Sequence, residues 1–426
     1  MVNKHLSKIG LAVLAATLSL PSHAISIEQA WQQAKQNDPN YEKAKIGVQL
    51  GQAGVDSSRS ALLPDLSASA SLNWSESADS SNSSNSYGAT LSQTIWDSSL
   101  WSSLDQAKAN YLKSELELSQ AHNELAQKLL SAYLDLASAQ GDLVLAQTKL
   151  DEGNKLLQII EKRYQAGKVK SVDVEEMRAT QVSEQATILN AQADLEVKRA
   201  ELAALINQVP DSVDQIRTDT LIQPPMLVTS QAQWLKLAKD SSPELLVAAQ
   251  MVKASEFAKQ SAKEGYYPTL RGSVGYSDGD QRSNGEFNAG LTLSVPIDLN
   301  GSVRSKVDEA SLNILSAKQE MRRVEIDIQK RVIQQFTQVE INWNQVLIAN
   351  ELVASRGNVL ASKEKLYDAG LLEVSDVISA HNSLFEAKHS LQTNLYNYWR
   401  QRIALLQTAG KLDDDIMALI SRVFHS

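Results

Sequence analysis

The chain has 426 residues, a formal charge of −9, no cysteine and only 5% aromatic residues. The missing cysteine excludes disulfides, thiolate metal sites and a lipid-modified N-terminal Cys, and the acidic balance argues against nucleic acid as a partner. So few aromatics beside abundant Ala, Ser, Leu and Gln suit long helices with thin, small-residue seams rather than a thick globular core.

Residues 1–24 read as an export signal. Lys4 and Lys8 precede an apolar run from Ile9 to Leu20, and Ser22-His23-Ala24 is a small-x-small cleavage site. Cleavage there leaves Ile25 at the mature start and takes the formal charge from −9 to −11, because the leader carries two Lys and no acid. No other stretch approaches the length of apolar sequence that a spanning helix needs.

The remainder repeats itself. Asp38-Pro39 recurs as Ser242-Pro243, and Leu63-Pro64-Asp65-Leu66 as Tyr267-Pro268-Thr269-Leu270, both at an offset of 204. Tyr164-Gln165-Ala166-Gly167, followed by Asp173-Val174, recurs 203 residues later as Tyr367-Asp368-Ala369-Gly370 and Asp376-Val377. An internal match of this length marks a duplicated supersecondary unit whose copies pack as quasi-equivalents. The expected order in each copy is helix, two strands, very long helix, turn, helix.

Repeat 1 covers 25–206. It comprises a helix over 27–61, strands over about 66–75 and 87–96, a long helix over about 98–163 and a return helix over about 171–206. A linker at 207–229, holding Pro210 and Pro224-Pro225, leads to repeat 2 at 230–410. There the helix 230–265 is followed by strands over about 270–277 and 287–295, a long helix over about 302–366 and a return helix over about 374–408. Residues 411–426 are read as a C-terminal tail.

Residues 98–163 contain no proline and only Gly141 and Gly153. Their apolar positions, from Leu118 through Leu125, Leu129, Leu136 and Leu143 to Leu157 and Ile160, step by three and four. That is a sustained heptad seam with one stutter. The second copy runs from Ala317 through Val324, Ile328, Val332 and Val339 to Val346. At 1.5 Å per residue either helix is about 100 Å long. The shorter helices before and after the strands together match that length, so they are expected to stack end to end beside it.

The strands alternate. Leu66, Ala68, Ala70, Leu72 and Trp74 interleave with Ser67, Ser69, Ser71 and Asn73, and Phe287, Ala289, Leu291 and Leu293 interleave with Asn288, Gly290 and Thr292. A tilted ten-residue strand covers about 25 Å, the height of an outer-membrane apolar band. Trp74, Tyr87, Tyr276 and Phe287 fall at one end, and Trp96, Trp101, Tyr266 and Tyr267 at the other, as two aromatic girdles. On this reading a charge at Leu72 or Leu291 impairs membrane assembly while Ser69 tolerates one. Ser75 to Ser86 and Asp278 to Glu286 read as solvated outer loops. The alternative is an ordinary antiparallel sheet packed on a soluble core. Four strands cannot close a barrel, and open edges are not tolerated in lipid, so closure has to come from other copies. Two copies give eight strands and a filled interior; three give twelve and leave a lumen.

The duplicated unit, with Gln93-Thr94-Ile95-Trp96-Asp97 and Trp101 entering the first long helix and the two Tyr-x-x-Gly turns followed by Asp-Val, resembles the TolC-type outer-membrane efflux proteins over essentially the whole mature chain. The resemblance implies an α+β membrane protein. Four strands per chain complete a trimeric, twelve-stranded β-barrel, continued by an α-helical coiled-coil tunnel in the periplasm. It also implies a homotrimer in outer-membrane lipid that docks on a periplasmic adaptor and an inner-membrane pump of RND, MFS or ABC type. The function implied is a passive export duct for small molecules or secreted proteins.

Under that resemblance the turns at 164–170 and 367–373 mark the periplasmic entrance, with Tyr164, Gly167, Tyr367 and Gly370 as tip and gate residues. Asp173 and Asp376 have two readings. One is a ring of carboxylates that makes the mouth cation-selective; the other is helix N-terminal charge beside the N-cap candidates Ser171 and Ser375. Arg163, Lys168 and Lys170 are read as solvated or adaptor-facing. Leu372 stands where the family can carry a basic residue, and Ser379 replaces a second acid, so a polar latch is expected to be thinner here. The six His residues form no i, i+4 ligand pair, and no phosphate loop, nucleophile elbow or HExxH is present; neither catalysis, metal nor cofactor is expected. The rival from another class is a secreted coiled-coil stalk or adhesin without a channel.

Overall fold

The computed structural model describes residues 24–77, 80–216, 221–280 and 284–425. The expected leader lies outside them apart from Ala24. Thirteen elements follow in order: α1 Ile27–Asn37, α2 Pro39–Ser60, β1 Asp65–Ser77, β2 Ser80–Trp96, α3 Ser98–Gln165, α4 Ser171–Ile206, α5 Gln231–Ser241, α6 Pro243–Glu264, β3 Thr269–Gly279, β4 Glu286–Ser294, α7 Ser302–Asp368, α8 Val374–Thr408 and α9 Asp414–His425. Among the described residues no helix is long and apolar enough to cross a membrane.

The helix expected over 27–61 is two helices. Proline forces the preceding residue out of the helical region, and Asp38 sits at φ −74°, ψ 119°. The Asp38 carboxylate then accepts from Tyr41 N at 2.8 Å and caps α2, with Pro39 at its first position. Ser242-Pro243 breaks 230–265 in the same way, with Ser242 at φ −64°, ψ 117°. Ser26 and Gln29 form a reciprocal capping box at the start of α1.

The sheet order is β1-β2-β3-β4, antiparallel throughout. Leu66 pairs with Leu91, Leu91 with Val274 and Val274 with Ala289, one row of a single apolar face. The opposite face carries the row Ser67, Thr90, Gly275 and Asn288. Ser75 to Ser86 departs from its reading as a loop: β1 and β2 pair as far as Ser77 and Ser80. With no Gly or Pro between Ser75 and Ser86, nothing in that stretch breaks the ladder, and strands pair through their backbones whatever the side-chain polarity. The same register separates the outer aromatics. Tyr87 is level with Ala70, whereas Trp74 pairs with Ser83, four positions further out.

Helices continue the sheet order below. Near the sheet α3 packs on α2 and α6, with Gly51 beside Tyr111 and Ser103 bonded to Ser261. Further along it packs on α8 and α4, with Gly141 beside Gln392 and Gly153 beside Glu184; α7 packs on α6 and α8. Midway, α1, α5 and α9 thicken the wall into the one large core, with Trp31, Trp234, Tyr133 and Tyr398 fully buried. Residues 411–426 depart from the reading as a tail. Met417, Ile420 and Phe424 fall on one face of α9 and are buried against this core. Asp413 caps α9, accepting from Ile416 N at 2.9 Å, and its neighbour Asp414 accepts from Trp31 Nε1 at 2.6 Å and pairs with Lys35 at 3.2 Å.

Candidate functional site

The far end of the rods from the sheet carries both helix-to-helix turns. Gly167 at φ 71° and Gly370 at φ 74° each end a long helix in the left-handed region. Gly167 N donates to Tyr164 O and Lys168 N to Arg163 O, both at 2.8 Å; Gly370 N donates to Tyr367 O at 3.0 Å and Leu371 N to Leu366 O at 2.9 Å. Each is a complete Schellman motif, so the two turns share backbone geometry as well as sequence. Beneath them a second core gathers Leu157, Ile160, Val174, Met177, Leu360, Tyr367, Val374, Val377 and Ile378.

The side chains break the symmetry. Arg163, read as solvated or adaptor-facing, instead crosses to the other hairpin. Its guanidinium lies 4.3 Å from the Tyr367 ring centroid, donates to Tyr367 O at 3.0 Å and meets Asp368 Oδ1 at 2.6 Å. The repeat itself holds the signal for this contact. The counterpart of Arg163 is Leu366, and that of Asp368 is Gln165, so complementary charges occur once each. Lys170 and its own counterpart Glu373 have opposite signs and stand 3.6 Å apart on the exposed surface. Lys168 and Tyr164 are exposed. Tyr367 is 5% exposed, and among the described residues its hydroxyl has no hydrogen-bond partner; burial pushes its pKa up, with Arg163 opposing.

Asp173 and Asp376 are both half-buried at the third position of their helices. Lys170 N donates to Asp173 Oδ2 at 2.9 Å, so this carboxylate caps α4. Asp376 meets Lys363 Nζ at 3.2 Å. The N-cap positions belong to Lys170 and Glu373, not to Ser171 and Ser375. In α4 the acid at the third position supplies the acceptor for the N-cap backbone N–H, whereas Glu373 caps α8 without a side-chain bond.

One further charged group lies between α3 and α4. Glu184 is 4% exposed, and among the described residues its carboxylate oxygens find only Lys149, at 3.7 Å. Gly153 leaves room for it: a Cβ there would stand 2.8 Å from Glu184 Oε2. Burial pushes the Glu184 pKa up, with Lys149 opposing. The folded chain therefore holds this proton to higher pH than the unfolded chain does. The associated stability is full below the ordinary carboxylate value and falls as pH rises through the raised one, by at most about 1.4 kcal/mol per pH unit for one proton. Glu184→Gln is expected to flatten that part of the melting-temperature profile in acid; a profile parallel to that of the unsubstituted protein would contradict this assignment.

A half-amphipathic sheet of four strands with two free edges, mounted on helices of about 100 Å, defines a subunit of an outer-membrane duct whose greater part stands in the periplasm. A family model described as outer membrane efflux protein matches twice, over 30–208 and 234–411. The chain belongs to the outer membrane efflux protein family, and it serves export across the outer membrane. It is similar to outer membrane protein TolC of Escherichia coli, 25% identical over 451 residues, covering 98% of this chain and 88% of the relative. It is also similar to alkaline protease secretion protein AprF of Pseudomonas aeruginosa, 23% identical over 432 residues, covering 95% and 88%. Among solved structures, CusC matches with a TM-score of 0.78 at 18% identity, covering 90% of this chain and 92% of that one. VceC of Vibrio cholerae matches at 0.76 and 19%, covering 90% and 96%.

Proposed function

We propose that three copies close twelve strands into one barrel, and that their helices form a single water-filled duct ending at the paired turns. The observation that carries this is the sheet itself: β1 and β4 each have one unpaired edge, and one face is polar from end to end. Lipid does not tolerate an open edge, and twelve strands leave room for a lumen lined by Ser, Thr, Asn and Gly. The duct docks on a periplasmic adaptor and an inner-membrane transporter, which supply energy and select cargo. The relatives include both an outer membrane protein, TolC, and a protease secretion protein, AprF, which suits a passive conduit.

Within it, Asp173 and Asp376 put six carboxylates around the mouth, over and above their local bonds. Purified protein in planar bilayers tests this. A trivalent cation such as gadolinium, added on the periplasmic side, is expected to block the current. Asp173→Ala with Asp376→Ala is expected to weaken that block by at least about tenfold, the worth of about 1.4 kcal/mol. Unchanged block in the double variant rejects the carboxylate ring, and a protein that forms no conducting channel rejects the duct.

A further inference from the structure

The large core has a cleft between the linker, α5, α8 and α9, enclosing about 70 Å³ and lined by Pro224, Leu227, Trp234, Trp399, Arg402 and Leu419 among others. Two polar groups stand in this largely apolar wall, one a cation without a counter-charge and one a donor without an acceptor among the described residues. Arg402 is 6% exposed. Its Nη1 donates to Pro224 O at 2.8 Å and to Tyr398 Oη at 3.0 Å, its Nη2 donates to Pro225 O at 2.5 Å, and the guanidinium lies over Trp399 at 5.2 Å. These partners are all neutral; among the described residues no carboxylate meets it. A buried cation without a counter-charge is costly even when hydrogen-bonded. Trp234 is 1% exposed, and among the described residues its indole N–H has no acceptor.

We propose that this cleft binds a small apolar carboxylic acid as its anion. The carboxylate would take the charge of Arg402 and the free Trp234 N–H, and the hydrocarbon would lie along Leu406, Ile416 and Ile420. Leu227 and Leu419, 47% and 44% exposed, flank the mouth. The small volume selects a narrow chain over a bulky ring, and the open mouth lets its far end project. Arg402 lies 26 residues along α8 from Asp376, about 40 Å at 1.5 Å per residue, so this site is separate from the entrance.

Calorimetric titration of the full protein in nanodiscs tests the assignment, with hexanoate, hexanol and hexylammonium as probes. Hexanoate is expected to bind saturably and at least tenfold more tightly than either of the others. Arg402→Gln removes that preference. Because that change strikes a buried group, Leu419→Trp at the mouth serves as an independent variant; it closes the cleft and abolishes hexanoate binding while leaving channel conductance intact. Equal binding of hexanoate and hexanol overturns the proposal, as does hexanoate binding that survives Leu419→Trp. A chain carboxylate already seated on Arg402 would leave no saturable binding at all, and that result overturns it too.

Discussion

Arg163→Ala is expected to raise the resting conductance of the assembled channel by about a thousandfold. The side chain joins the end of one hairpin to the other through the Tyr367 ring, the Tyr367 carbonyl and the Asp368 carboxylate. The last of these is worth little, because Asp368 is 68% exposed and solvent screens the pair. The carbonyl bond and the ring contact contribute about 0.5–1 kcal/mol each. A tie of about 1.4 kcal/mol per subunit, lost in three subunits at once, shifts a closed-to-open balance by about three factors of ten. Arg163→Lys keeps the charge but loses the planar fork, so it falls between. Asp368→Asn spares the carbonyl and the ring and has the smallest effect. Single-channel recording in planar bilayers ranks all three, and an Arg163→Ala channel as tight as the unsubstituted one would remove the cross-tip tie from the account of closure.

That tie shows in the sequence only where the two repeats are set side by side and differ. Gly167 and Gly370 announce their turns locally, because only glycine enters the left-handed region without strain, and the Tyr-x-x-Gly pattern does so twice. Arg163 and Asp368 are 205 residues apart, and no local pattern connects them. The rods were legible for the same reason as the turns: Leu125, Leu129, Leu136, Leu157 and Ile160 keep helical spacing, and all are buried. Leu130, Tyr133, Leu134 and Ala137 are buried as well, on a second face that a single seam does not foretell. They are covered by α8 and by α1 and α9, where the wall thickens, a layer assembled from distant segments. The Ser- and Asn-rich stretch beyond Tyr87 misleads in the opposite sense. Composition marks it as solvated, yet a β-ladder is held by backbone groups that composition does not record. Glu184 gives no sequence signal beyond one acid on a helix; its burial depends on Gly153 across the α3–α4 contact.

The register also sharpens where lipid lies, and with it the second large effect. Leu91→Lys and Leu291→Lys are expected to abolish assembly in the outer membrane. Nine positions separate Tyr87 from Trp96, about 30 Å along the strand and about 23 Å of height at a tilt of about 40°. Leu91 lies near the middle of that interval, in the row of Leu66, Val274 and Ala289. Leu291 pairs with Gly272, opposite Gln93 and closer to the periplasmic end, and is 73% exposed. A lysine on the lipid face near mid-depth costs about 2–4 kcal/mol, hence about 6–12 kcal/mol over three subunits. Leu72, which the sequence grouped with Leu291, pairs with Asn85 and stands two positions beyond the row of Ala70 and Tyr87. Leu72→Lys therefore places its charge at or above the interface, where the same principle allows about 0–1 kcal/mol, and it should assemble. Ser69→Lys points to the polar face and should assemble too. Heat-stable oligomer in isolated outer membranes, quantified for the four variants, separates these outcomes. If Leu91→Lys assembles as well as Ser69→Lys, the apolar face does not meet lipid at that height, and the barrel as drawn from this register is wrong.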